Sequence, residues 1–202
     1  MINIRHVKHT WLNRPSTIVA PELIGCTLIR QIPDVPVLRG LIVETEAYEP
    51  DDPAMHAYQR RTARNQIMFE SAGHAYLYQI YGSYHCLNIV TDQAGIASSV
   101  LIRALELETV PDWIDRQQQP KLHRIAAGPG KLCRALKIDL SLNATLLEPG
   151  QALWLEHRTP QFQQQLDDGR LTLTQTTRIG LTKGADRLQR WYLANCPAVS
   201  KK

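Results

Sequence analysis

Two alternating segments, Ala75–Ile80 and Tyr84–Val90, flank Gly82-Ser83, and that spacing constrains the chain more than any other feature. Strand-like runs joined by a tight glycine turn can pair only as an antiparallel hairpin. Cys26–Ile32 and Val37–Glu46 repeat the arrangement around the turn sequence Pro33-Asp34-Val35-Pro36. Ser98–Leu107, Ala152–Glu156 and Leu171–Thr177 add further strand-like runs. Helical spacing of Ile18, Val19, Leu23 and Ile24 predicts a helix capped by Ser16 and ended by Gly25. Short helices are expected at Ala54–Tyr58, at Asp112–Gln118 and from Lys131 to about Lys137, the last after the loop Ala126–Gly130. Asn3–Arg14 is polar and loosely patterned, and Gln161–Gly169 reads as a polar surface insertion. Hairpins dominate, so the expected fold is α+β: one domain over residues 1–202, with a mostly antiparallel sheet and surrounding helices.

Composition narrows the class. At 202 residues, 44% hydrophobic and 21% charged, the chain has the make-up of a soluble domain with a sizeable core. No apolar run is long enough to span a bilayer and no signal-peptide pattern is present, so no membrane association and a cytoplasmic location are expected. The net charge of +4 permits a polyanionic partner without demanding one. Cys26, Cys86, Cys133 and Cys196 are far apart and form no C-x-x-C pair, so reduced thiols and no metal site are expected. His6 and His9 form an H-x-x-H pair with no accompanying ligand motif.

Four segments could carry chemistry. In Val43-Glu44-Thr45-Glu46-Ala47-Tyr48 an apolar strand runs into two carboxylates and a tyrosine. Strand periodicity puts Glu44, Glu46 and Tyr48 on one face, where a desolvated carboxylate could act on a water, but it does not separate Glu44 from Glu46. Four of the seven tyrosines lie in Tyr76–Tyr84. Tyr81 would sit at the shoulder of the turn, suited to wedging between stacked bases, and Tyr78 could stack on a base in a pocket; a hairpin packed on its own core fits the same pattern. Gln59–Asn65 holds Arg60, Arg61 and Arg64, either a phosphate clamp or a solvated loop. Arg103 follows Val100-Leu101-Ile102 and must find an anion or several acceptors if that strand is buried. Gly128-Pro129-Gly130-Lys131 departs from a P-loop, yet a glycine-rich turn before a helix can face a phosphate or simply cap the helix.

Taken together, VETEAY (43–48), DDPAMH (51–56), RTARNQIMF (61–69), GHAYLYQIYG (73–82), CLN (86–88), LIRAL (101–105), GPGKLC (128–133) and RIG (178–180) resemble, in order, the alkyladenine (3-methyladenine) DNA glycosylase family. The resemblance implies a curved antiparallel sheet with a protruding, DNA-intercalating hairpin. It implies a monofunctional, cofactor-free hydrolase that acts as a monomer on duplex DNA. Its substrates would be alkylated or deaminated purines (3-methyladenine, 7-methylguanine, hypoxanthine, ethenoadenine), released after base flipping to leave an abasic site. By resemblance, Glu46 deprotonates the attacking water and Arg103 helps hold it. Tyr48, His56 and Tyr78 wall the base pocket, Asn88 screens exocyclic amino groups, and Tyr81 fills the gap left by the flipped nucleotide. Arg60, Arg61, Arg64 and Lys131 are the expected DNA-backbone contacts. Ala63, Ser83 and Gln161–Gly169 depart from the family pattern. A non-catalytic damaged-DNA binder and a free-nucleoside hydrolase are the alternatives. Two catalytic-type residues argue against the first, and an exposed Tyr81 with an arginine cluster argues against the second.

Overall fold

Residues 6–201 are described in a computed structural model, so residues 3–5 of the loosely patterned N-terminal stretch lie outside it. The framework is an eight-stranded sheet whose pairings are all antiparallel. Its strands are β1 (Thr27–Arg30), β2 (Leu38–Tyr48), β3 (Ala75–Ile80), β4 (Tyr84–Val90), β5 (Ser99–Leu107), β6 (Leu153–Glu156), β7 (Leu173–Thr176) and β8 (Arg190–Leu193). The order is β3-β4-β5-β2-β1-β6, with β8 joining β2 and carrying β7 outside it. The α+β expectation holds, and both expected hairpins form.

β2 is the spine. One edge pairs with β5 along its length; the other pairs with β1 at Leu38–Leu41 and with β8 at Glu44–Glu46. With both edges covered, Val43 through Ala47 are fully buried. Helix α2 (Ser16–Leu23) follows a four-residue helix, α1 (His9–Leu12), and packs on β2, β5 and β8. Thr45 Oγ1 donates to the Ala20 carbonyl of α2 at 2.9 Å, which marks the helix-covered face. Helix α3 (Pro129–Ala135) packs on β4 and β5.

Alternation along the strands separates two apolar clusters. Leu77, Leu87, Ile89, Val100 and Ile102 join the main core. Their neighbours Tyr76 and Val90 point the other way, into a smaller cluster with Met55, Ala57, Ile67, Met68 and Ala97. The chemistry-bearing side chains share this second face.

Local departures from the expected elements have physical causes. Ser16 begins α2 but does not cap it; its Oγ donates to the Tyr48 carbonyl at 3.0 Å and ties the helix to the end of β2, while Pro15 takes the cap position. The β3–β4 loop has three residues, not two, because Ile80 pairs with Tyr84; Tyr81 (φ 46°) and Gly82 (φ 75°) both turn left-handed. The expected helices at Ala54–Tyr58 and Asp112–Gln118 are successive turns. In the first, Ala54 N donates to Asp52 Oδ1 at 3.0 Å; in the second, Trp113 is drawn inward to donate to the Ala135 carbonyl at 3.1 Å. Within the polar surface segment Gln161–Gly169 the chain is helical: Pro160–Asp167 forms α4, capped by Thr159, and lays Phe162 against Gly25. Gly25 has φ +89°, and a Cβ there would meet Phe162 Cε1 at 2.1 Å. Among the described residues no helix is long and apolar enough to cross a membrane.

Candidate active site

A buried charge cluster sits at the middle of β2. The β2–β5 register shifts twice, between the pairs of Ile42 and Glu44 and between those of Glu44 and Thr45. Glu44 faces Ala104 and Thr45 faces Ile102, so Arg103 is the extra residue of a bulge. Freed from a cross-strand partner on β2, Arg103 reaches both carboxylates: Nε lies 3.2 Å from Glu44 Oε1 and Nη1 lies 3.1 Å from Glu46 Oε1. Burial alone would lower the pKa of Arg103, but the charges of Glu46 and Glu44 outweigh it and hold the guanidinium above the usual arginine value.

The two carboxylates differ in surroundings, which the sequence could not reveal. Glu44 is held by the rest of the fold: it accepts from Arg190 Nη1 at 2.9 Å and from Ser200 N at 2.7 Å, besides Arg103. Glu46 faces the second cluster. Its Oε1 accepts from Ile179 N at 2.9 Å, and its Oε2 accepts from the Tyr48 hydroxyl at 2.9 Å. Burial, and then the Glu46 charge, push the Tyr48 pKa far upward, so that hydroxyl stays protonated and donating.

Tyr48 connects this cluster to a small, partly open recess. The four expected pocket residues, Tyr48, His56, Tyr78 and Asn88, all line it, joined by Met55, Met68, Tyr76, Ser99 and Leu181, among others. His56 keeps an exposed edge while its ring packs 4.4 Å from that of Tyr78 at 70°. Its Nδ1 lies 2.9 Å from the Tyr76 hydroxyl. Desolvation, then the Arg64 charge, lower the His56 pKa, so the ring is neutral at neutral pH. Burial likewise drives the Tyr78 pKa well up. Asn88 is buried, with Nδ2 3.4 Å from the Tyr76 carbonyl.

Asp52 and Arg178, quoted in motifs but given no role, form a buried pair beneath Tyr48, with no side-chain surface exposed on either. Arg178 Nη1 donates to an Asp52 carboxylate oxygen and, at 3.0 Å, to the Ala47 carbonyl; Nη2 donates at 3.0 Å to Asp52 Oδ1 and to the Gly184 carbonyl. Its guanidinium carbon lies 4.6 Å from the Tyr48 ring centroid. The pair thereby joins the loop after β2, which supplies His56, to the loop before β8, which supplies Ile179 and Leu181.

Of the expected DNA-contacting residues, Arg64 comes up to the recess and the others stand away from its lining. Tyr81 stands at the hairpin tip, 90% exposed. Arg60, Arg61 and Arg64 are exposed on the loop beside the recess; Arg64 lies 5.9 Å from the Tyr78 ring centroid, and Arg61 lies over Phe69 and 3.6 Å from Glu70. Lys131 is exposed in the first turn of α3, next to Gly130, whose missing Cβ makes room for Tyr84 at the hairpin base.

The buried carboxylate–arginine pair thus lies beside an aromatic recess, linked to it by Tyr48. A profile of the family described as "Methylpurine-DNA glycosylase (MPG)" matches residues 10–197. The chain belongs to that family. It is similar to proteins provisionally named 3-methyladenine DNA glycosylase. The one from Trichodesmium erythraeum (strain IMS101) is 57% identical over 206 residues, covering 100% of both chains. The one from Synechococcus sp. (strain JA-3-3Ab) is 52% identical, over 94% of this chain and 96% of the other. The one from Methanoculleus marisnigri (strain ATCC 35101 / DSM 1498 / JR1) is 41% identical, over 94% and 95%. The protein is thus a DNA glycosylase, a hydrolase that removes alkylated bases.

Proposed function

We propose that the enzyme flips alkylated or deaminated purines (3-methyladenine, 7-methylguanine, hypoxanthine, ethenoadenine) out of duplex DNA into the Tyr48–His56–Tyr78–Asn88 recess. There it hydrolyses the N-glycosidic bond and leaves an abasic site. The observation that carries this reading is the hydrogen bond from Tyr48 to Glu46, which sets a recess wall directly beside a buried carboxylate. The enzyme needs no cofactor and acts as a monomer.

Glu46 activates the attacking water. An ionised carboxylate has about four acceptor sites, and Arg103, Ile179 N and the Tyr48 hydroxyl engage three groups' worth of them. A site on Oε2 remains for water. With no exposed surface of its own, this carboxylate is poorly screened and can also stabilise positive charge growing on the sugar. Arg103 fixes its orientation. Tyrosine faces and a neutral His56 suit a cationic alkylated base. A neutral base such as hypoxanthine leaves less readily and depends more on hydrogen bonds in the pocket. Tyr81 fills the gap in the stack, while Arg60, Arg61, Arg64 and Lys131 meet phosphates.

A duplex with a single 3-methyladenine or hypoxanthine, incubated with enzyme and then treated with alkali, should break at the lesion. Intact strands with every lesion would overturn the proposal. Tyr81→Ser should weaken binding to lesion duplex by roughly tenfold or more, the worth of one stacked aromatic, with unchanged melting temperature because the side chain packs on nothing. Undiminished lesion binding in a titration of labelled duplex would refute the wedge.

A further inference from the structure

The floor of the recess holds a polar group that the fold does not use. Ser99 is 1% exposed, it lines the recess, and its Oγ has no hydrogen-bond partner among the described residues. Strand register puts it on the recess face, because Ser99 pairs with Tyr48 on one side and Val90 on the other. The preceding serine shows the contrast. Ser98 falls on the opposite face, where its Oγ lies 2.9 Å from Thr91 Oγ1 and accepts from Ser16 N at 3.3 Å. The same residue type one position away is satisfied by the protein, and Ser99 is not. A buried hydroxyl without a bond is destabilising and calls for a ligand or an ordered water.

We propose that Ser99 is a base-binding residue whose hydroxyl hydrogen-bonds the edge of the purine in the recess, directly or through one ordered water. The inference rests on the recess being the base pocket. A serine hydroxyl rotates freely and both donates and accepts. It can donate to a 6-oxo group and accept from a 6-amino group, so a single pocket accommodates purines whose edges differ in polarity. Asn88, on the adjacent strand, lacks that freedom because its amide is oriented by the Tyr76 carbonyl. Tyr48 is unsuited too, since its hydroxyl is committed to Glu46.

The test compares wild type with Ser99→Ala in three measurements: thermal melting, calorimetric binding of free 3-methyladenine and free hypoxanthine, and single-turnover excision of 3-methyladenine from duplex DNA. Removing an unbonded buried hydroxyl should leave the melting temperature unchanged or raise it. Binding of both free bases should weaken by roughly three- to tenfold, the worth of one neutral hydrogen bond, and excision should slow by a similar factor. A loss confined to one base would support the role and fix the direction of the bond. Equal binding and excision by an active wild type and the variant would overturn the role of Ser99 and leave the pocket standing. A clear fall in melting temperature would overturn it as well, by showing that the hydroxyl is bonded within the fold. Failure of wild type to bind either base or excise the lesion would overturn the pocket reading, and the Ser99 proposal with it.

Discussion

Glu46→Gln is expected to bind lesion-containing duplex nearly as well as wild type while excising the base roughly 10²–10⁴-fold more slowly, the usual contribution of a positioned general base. The substitution is isosteric. The amide oxygen can still accept from Ile179 N and Arg103, and Glu44 remains to compensate the guanidinium. What disappears is the negative charge behind Tyr48, a wall of the recess. Single-turnover kinetics with binding measured on the same duplex check this directly, and excision at the wild-type rate would refute the assignment. Glu44 supplies the contrast. Bonded to Arg190, Arg103 and the Ser200 amide, its partners all belong to the fold. Glu44→Gln should show itself in thermal melting before it shows itself in chemistry.

The second large effect concerns stability. Asp52→Ala would leave Arg178 buried without a counter-charge, and breaking such a pair from one side costs about 3–5 kcal/mol. For a domain of this size that corresponds to a melting temperature lowered by roughly 6–20 °C. The adjacent Asp51 is the internal control. Its ion pair with Arg187, at 3.1 Å, is largely exposed, and Asp51→Ala should melt as wild type does. Differential scanning calorimetry of the two variants side by side gives the comparison; equal melting temperatures would refute the assignment of a structural role to the Asp52–Arg178 pair.

These neighbouring aspartates also show where sequence reading stops. The run Asp51-Asp52-Pro53 marks a turn, but nothing in it says which carboxylate is buried against its distant arginine and which stays exposed. Local patterns were legible: strands β3 and β4 fall on their expected residues, and alternation correctly set Glu46 and Tyr48 on one face. Arg103 was expected to need an anion and has two. Strand β8 was missed because Arg190-Trp191-Tyr192-Leu193 is short and begins with a charge that only a buried Glu44 could neutralise. The bulge at Arg103 was invisible because it exists only in the pairing of two strands. Nothing within the run Ser98–Leu107 marks Ser99 out from its neighbours, and its lack of a partner depends on the shape of a face built from three strands.

Because β2 is flanked on both edges, Glu46 lies in backbone that cannot open without dismantling the sheet, whereas the loops carrying His56 and Leu181 are joined through the Asp52–Arg178 and Asp51–Arg187 contacts. Amide protons along the centre of β2 should therefore exchange by global unfolding and those of the two loops by local opening. The recess is therefore walled by parts of unequal rigidity: Tyr48, Tyr78, Asn88 and Ser99 stand on strands, His56 and Leu181 on loops. Changes in those two loops would reshape one wall of the recess while the carboxylate stays where the sheet holds it.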